Sequence, residues 1–244
     1  MIALLRETCY TATMKLGTGK IIEIMQSSRG RRQAVLQLEG ITQPAPGQYL
    51  QTHRPQDEDK PAGVTLFPGG IASHGLPPDQ LTTAPPVPAD WQPGDLLQVR
   101  GPLGKGFHIP ANVRRLALCA FGEVSDHLLP LAGTILAQDG EVALFTDGDF
   151  SQLPARIEVN PLADLADACK WADLMACAAP VDQFSAAQEQ LERWSPIGCE
   201  TQLLVYSQYP CAAMAECGVC AFRVRSGQTR LACQDGPVFD WREI

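Results

Sequence analysis

Long apolar runs, basic clusters and histidines are all scarce in this 244-residue chain, and each scarcity excludes something. No apolar stretch approaches the roughly 20 residues that a helix needs to cross a bilayer, so no membrane span is expected. Residues 1–5 are apolar, but Arg6 and Glu7 follow too soon for a secretory leader, and the expected location is cytoplasmic. Lys and Arg total 19 against 27 Asp and Glu, a net charge of −8. The densest basic run, Arg29-Gly30-Arg31-Arg32, reads as a solvated turn between strands. Nucleic acids are bound by cations spread over a wider face, so no such partner is expected. The four histidines, His53, His74, His108 and His127, share no metal-like spacing. None follows His127, which excludes a centre built from two His beside two Cys. Neither Ser73-His74 nor Ser125-Asp126-His127 makes a catalytic triad, and Ser125 and Asp126 are expected to cap a helix.

Cysteine is plentiful. Of nine, four fall near the end, Cys211, Cys217, Cys220 and Cys233, spaced C-x5-C-x2-C-x12-C. Three crowd one loop rich in Ala and Gly. The fourth follows a segment, 221–232, that reads as a β-hairpin turning at Ser226-Gly227. Thiolates at this spacing suit an iron–sulfur cluster or a tetrahedral zinc. A zinc ribbon usually offers two C-x2-C knuckles, whereas this chain has one, Cys217 and Cys220, an asymmetry that favours the cluster. The other five, Cys9, Cys119, Cys169, Cys177 and Cys199, are scattered and read as small core residues.

Residues 1–110 read as short strands at 10–15, 21–27, 33–39, 48–54, 63–67 and 96–100, punctuated by Gly, Pro or charge, a pattern that suggests a small barrel. Residues 68–93 hold seven prolines and are expected to form an ordered loop or arm rather than a barrel wall. From residue 112 the rhythm changes. Strands at 115–120, 141–145, 156–159, 174–178 and 202–205 alternate with helices at 125–137, 162–169 and 183–193, which implies a parallel sheet covered on both faces. Pro130 implies a kink, or a helix that starts there. Trp91, Trp171, Trp194 and Trp241 read as packing anchors.

The tail Cys233-Gln234-Asp235-Gly236-Pro237-Val238-Phe239 closely resembles the C-x-D-G-P-V-F signature of the electron-transfer subunits of class B dihydroorotate dehydrogenases. Residues 205–244 carry the resemblance. Gly47-Gln48-Tyr49, Gln92-Pro93-Gly94-Asp95 and Arg100-Gly101-Pro102-Leu103-Gly104 add barrel motifs like those of ferredoxin reductases. The resemblance implies a mixed β and α/β, ferredoxin-reductase-like fold. It would comprise a small antiparallel flavin-barrel-like domain (1–111), a Rossmann-like parallel α/β domain (112–205) and a small C-terminal cluster domain (206–244). Carried over by position, Cys211, Cys217, Cys220 and Cys233 would ligate a [2Fe–2S] cluster. The loop departs from the family's C-G-x-G-x-C by one added residue and two missing glycines, reading Cys211-Ala212-Ala213-Met214-Ala215-Glu216-Cys217.

The nucleotide motifs depart further. In the family an R-x-[YPF]-S element after G-Q-[FY] holds FAD. Here Thr65-Leu66-Phe67-Pro68-Gly69-Gly70-Ile71 stands in that place, with neither Arg nor Ser, and no G-x-G-T follows. FAD stays open in this reading, with His53 and Arg54 as the available compensating donors, and is expected to be absent or substoichiometric. NAD is not expected. A single glycine remains in Cys119-Ala120-Phe121-Gly122-Glu123-Val124-Ser125-Asp126, and Glu123 and Asp126 put negative charge where a pyrophosphate would meet helix amides. The expected function is an electron-transfer subunit rather than a self-sufficient enzyme. It would serve a flavoprotein dehydrogenase or other redox partner subunit in a hetero-oligomer. The alternative is a non-redox scaffold with a structural zinc on the same four cysteines.

Overall fold

The computed structural model describes residues 15–27, 30–57, 63–71, 77–148, 153–194 and 198–244. Cys9, His74 and all but the last residue of the strand expected at 10–15 lie outside them.

The first six strands form one antiparallel sheet: β1 (Lys15–Gln26), β2 (Arg32–Glu39), β3 (Tyr49–His53), β4 (Val64–Leu66), β5 (Gln80–Thr82) and β6 (Leu96–Leu103). Their order is β4-β3-β6-β1-β2-β5. The sheet curls until its edges meet at a bridge between Pro68 and Thr83. Ile21, Leu36, Leu50, Leu66, Leu81, Trp91, Leu97 and Val99 fill the interior. Burying aliphatic side chains of this size contributes about 1.5–3 kcal/mol each. The proline-rich stretch contributes β5, a three-residue edge strand pairing with β2 at Val35–Thr82 and Leu36–Leu81. Proline excludes a central strand but leaves room for a short edge, so this stretch is wall as well as loop.

The second sheet is parallel except at one edge. It holds β7 (Arg115–Ala120), β8 (Glu141–Thr146), β9 (Ile157–Asn160), β10 (Leu174–Pro180), β11 (Glu200–Tyr206) and β14 (Val238–Asp240) in the order β14-β11-β10-β7-β8-β9. Strands β7 and β10 are buried almost throughout, as strands covered on both faces must be. Helices α1 (Leu129–Leu136), α2 (Leu165–Trp171) and α3 (Phe184–Arg193) supply the cover. Pro130 lies in the first turn of α1, where its missing N–H costs nothing. Ser125 and Asp126 do not cap it: with His127 they form a buried 3-10 turn whose flanking positions make no side-chain cap bond. Trp91 and Trp241 are buried and Trp171 packs part-buried against the core, whereas Trp194 is 41% exposed. Among the described residues no helix is long and apolar enough to cross a membrane.

The tail leaves the sheet and returns to it. After β11 the chain runs through the thiol loop and the hairpin β12 (Ala221–Arg223) and β13 (Thr229–Leu231), then a single helical turn α4 (Ala232–Asp235). Strand β14 then pairs antiparallel with β11 through Gln202–Asp240, Leu203–Phe239 and Leu204–Val238. The signature residues explain this path. Asp235 accepts from the Leu231 amide at 2.9 Å. The Gly236 carbonyl accepts from the Lys105 amide at 2.7 Å, and the Pro237 carbonyl from the Val205 amide at 2.9 Å. Phe239 packs on Phe222 (centroids 5.2 Å apart), and Phe222 packs on Phe184 of α3 (4.5 Å). The fourth cysteine is therefore fixed to both sheets at once.

Candidate metal centre

The thiol loop is braced from the barrel side. Thr65 of β4 accepts at Oγ1 from the Tyr209 amide (2.9 Å) and from Gln51 Nε2 (2.7 Å). The Gln208 side chain pairs with the Thr65 backbone, accepting from its amide at 3.0 Å and donating to its carbonyl at 3.3 Å. Arg100 of β6 donates to the Ala212 carbonyl, and Tyr49 Oη donates to the Cys233 carbonyl at 3.1 Å. None of these supports is legible from cysteine spacing.

Inside the loop Ala212, Ala213 and Ala215 take φ of 51°, 61° and 64°, and Gly218 takes 69°. Three alanines thus adopt a left-handed conformation that glycine takes without cost, and successive left-handed residues turn their amides inward. The amides of Cys217 and Glu216 face the Cys211 sulfur, and the Met214 amide beside them donates to the Cys211 carbonyl at 3.1 Å. Burial drives the Cys211 thiol upward, but those amides and the Cys217 thiol outweigh it and hold it down at about 7. The longer, glycine-poor loop therefore still aims its amides at sulfur. Cys233 behaves oppositely. Burial, then the Cys220 thiol and the fields of Cys220 and Cys211, push it up to about 12, against a hydrogen bond from the Ala215 amide.

All four predicted cysteines come together, as two pairs. Cys211 lies against Cys217, and Cys233 against Cys220, with Cys211 near enough to Cys233 to act on its charge. Among the described residues no three His, Cys, Asp or Glu side chains converge as a single-ion site. Two dithiol pairs are the donor set for a two-metal group, in which each metal takes two thiolates. The Cys220–Cys233 pair is buried, whereas Cys217 is exposed beside Met214 (56% exposed) and Val219 (52%).

A second thiol group was not foreseen. Cys119 and Cys177 are register partners on β7 and β10 and hydrogen-bond to each other, with Cys169 and Cys199 within electrostatic reach. Burial raises the Cys119, Cys169 and Cys199 thiols; Cys119 and Cys177 lie wholly inside the sheet core, and Cys169 and Cys199 pack part-buried against it. Only the strand register, which the sequence does not display, brings the first two together.

Phe67, in the segment 65–71, lies in a cluster of rings. Phe67 sits 5.4 Å from Tyr49, 5.4 Å from His127 and 5.7 Å from Tyr206 (centroid distances). Tyr209 lies 4.8 Å from Tyr49, and His127 lies 4.4 Å from Tyr206. Arg54 is not available to a pyrophosphate, because Asp57 (2.7 Å), Asp90 and Asp95 (3.4 Å) engage it. His53 lies along a groove of about 500 Å³ that Gln51, Thr52, Arg100 and Ala212 of the thiol loop also line. At the dinucleotide turn a cavity of about 310 Å³ is lined by Glu123, Asp147 and Gln183 and by no basic residue.

His127 makes the ring junction sensitive to acid. Burial, then the field of Arg31, lowers its pKa from 6.5 to about 3, against a backbone hydrogen bond with Val124. The unfolded chain then binds the extra proton between pH 6.5 and 3. Stability is present above 6.5 and is lost as pH falls through that window, by up to about 1.4 kcal/mol per pH unit. Denaturant midpoints at pH 7 and pH 5 should fall further in the native chain than in His127→Gln. An equal fall in both would assign the acid sensitivity elsewhere.

The fold is that of the ferredoxin-reductase-like proteins, with a thiol-bearing domain at its C-terminus. One neighbour is the NADH-dependent reduced ferredoxin-NADP oxidoreductase described for flavin-based electron bifurcation (TM-score 0.68, 16% identity, 92% of this chain and 88% of that one). Another is phthalate dioxygenase reductase (TM-score 0.54, 12% identity, 87% and 75%). Residues 213–244 match the iron-sulfur cluster binding domain of dihydroorotate dehydrogenase B. The chain is also 24% identical over 175 residues to the electron transfer subunit of dihydroorotate dehydrogenase B (NAD(+)) from Clostridium perfringens (strain 13 / Type A), covering 62% of this chain and 67% of that protein. The resemblance read from the tail is borne out.

Proposed function

We propose that this chain is an iron–sulfur electron-transfer subunit whose [2Fe–2S] cluster is held by Cys211 and Cys217 on one iron and by Cys220 and Cys233 on the other. The observation that supports this most directly is the pairing of the four thiols. A single zinc would draw all four to one point. The loop's inward amides supply hydrogen bonds to sulfur, which tune potential. The cluster supplies the one-electron chemistry, and the chain supplies ligands, burial and access.

Residues 1–111 and 112–205 act as the scaffold, and 206–244 as the cluster-bearing unit, tied back to the sheet by β14. The partner in this reading is a flavoprotein dehydrogenase subunit in a hetero-oligomer, met in the cytoplasm. Electrons cross at the exposed edge formed by Met214, Cys217 and Val219. Anaerobic titration with dithionite should bleach the visible band with about one electron per chain. A chain that takes up no electron is a scaffold, and the reading fails.

A further inference from the structure

We propose that this chain has sealed both nucleotide cradles of its fold with its own side chains, so that it binds neither flavin nor NAD and works as a one-centre carrier. The inference rests on the cluster reading above only for the identity of that centre.

The first seal is at the junction of barrel, parallel sheet and thiol loop. Tyr49 comes from β3, Phe67 from just beyond β4, His127 from the turn after β7, and Tyr206 and Tyr209 from the end of β11 and the run into the loop. Tyr49, Phe67, His127 and Tyr209 are buried and Tyr206 nearly so. Rings at these separations are in mutual contact, so the space among them is filled, although Tyr49 also borders a cavity of about 610 Å³ with Arg100 and Lys105. The backbone beside them is closed too. Gly69 donates to the Thr82 carbonyl at 2.9 Å and lies so close to Ala84 that a Cβ at Gly69 would overlap the Ala84 backbone. A serine there, or a phosphate against it, has no room. Arg54, at the end of β3, already faces three carboxylates.

The second seal is at the end of β7. The Phe121 amide donates to the Ala178 carbonyl of β10 at 2.9 Å, joining the strand ends at the point where the sheet order reverses. Ligands in open α/β sheets enter at that point. The Gln183 side chain lies over Gly122, whose φ is 75°, so the one glycine left in the turn faces an amide group rather than open space. Glu123 and Asp147 line what remains, and Glu123 is already paired with Arg31 at 3.2 Å.

The electron count follows. NADH gives up a hydride, which carries two electrons, and one [2Fe–2S] centre accepts one. Without a flavin to take the pair and release electrons singly, NADH has no acceptor in this chain. A one-electron reductant such as dithionite does. Donor and acceptor must therefore use the same exposed cluster edge in turn, rather than opposite ends of a relay.

The test uses the purified holoprotein. Acid-precipitated supernatant should carry no stoichiometric flavin, added FAD and NADH should show no saturable binding, and NADH should leave the visible band intact while dithionite bleaches it. A stoichiometric flavin, saturable binding of FAD or NADH, or bleaching by NADH would overturn the inference. Phe67→Ala supplies a positive arm. Removing that ring should open a flat apolar slot, and lumichrome, a flavin ring without sugar or phosphate, should bind about tenfold more tightly than to the native chain. A folded Phe67→Ala variant with no gain would contradict the ring seal. Should the variant fail to fold, the native-chain measurements decide. Iron and sulfide content tests the cluster separately, so the two readings can fail independently.

Discussion

Replacing Cys220 with serine is expected to strip the visible chromophore and the iron from the chain and to lower its melting temperature more than any other cysteine substitution. Cys220 is 2% exposed, and its thiol lies against that of Cys233. Its carbonyl accepts from the Ala232 amide at 3.1 Å, so the same residue ties the thiol loop to the turn that carries the fourth cysteine. Serine keeps the shape but offers a hard oxygen where a soft ligand is required. The free energy of ligand binding is part of the folding free energy of such small domains, so losing the ligand also loosens the tail. Cys119→Ala is the matched control. That residue is fully buried, and its loss leaves a small cavity worth about 1 kcal/mol, but the colour should survive. Loss of colour in both variants, or in neither, contradicts the assignment.

Gly104→Ala is expected to cost about 3 kcal/mol, combining left-handed strain with overpacking. Gly104 has φ of 75°, and a Cβ there would overlap Pro237 Cδ and lie 2.9 Å from both the Gly236 carbonyl and the Tyr49 ring. The next residue, Lys105, makes the bridge and hydrogen bond that hold the tail to the barrel. For a chain of this length the melting temperature should fall by about 6–12 °C. Because that contact carries the turn after Cys233, iron should also pass to a chelator faster than from the native protein. Gly227→Ala separates strain from collision. Its φ is 78° and nothing lies within 4 Å of the added Cβ, so its cost should stay near 1 kcal/mol with iron release unchanged. Equal effects from the two would show that the tail does not depend on Gly104.

Much of this was legible in the chain, for physical reasons. The strand Arg115–Ala120 is an unbroken apolar run after two arginines, the pattern of a strand buried on both faces. Pro130 marked the start of its helix because proline suits only a first turn. The tail signature announced the cluster domain because each of its residues holds a geometry that few others satisfy. What stayed hidden depends on partners far along the chain. Val238–Asp240 is too short to read as a strand until β11 is beside it. The proximity of Cys119 to Cys177 needs the register of two strands separated by two helices and two further strands. Ser125 and Asp126 have the composition of a cap, yet burial against the barrel puts them in a turn instead. Spacing collected four thiols, and the left-handed alanines and the docking of Thr65, Arg100 and Tyr49 sorted them into pairs.

Metal and sulfide analysis of protein purified without oxygen bears most directly on the central claim. Thiols arranged as two pairs predict a red-brown protein with about two irons and two labile sulfides per chain. A colourless protein with a single zinc and no sulfide would contradict it.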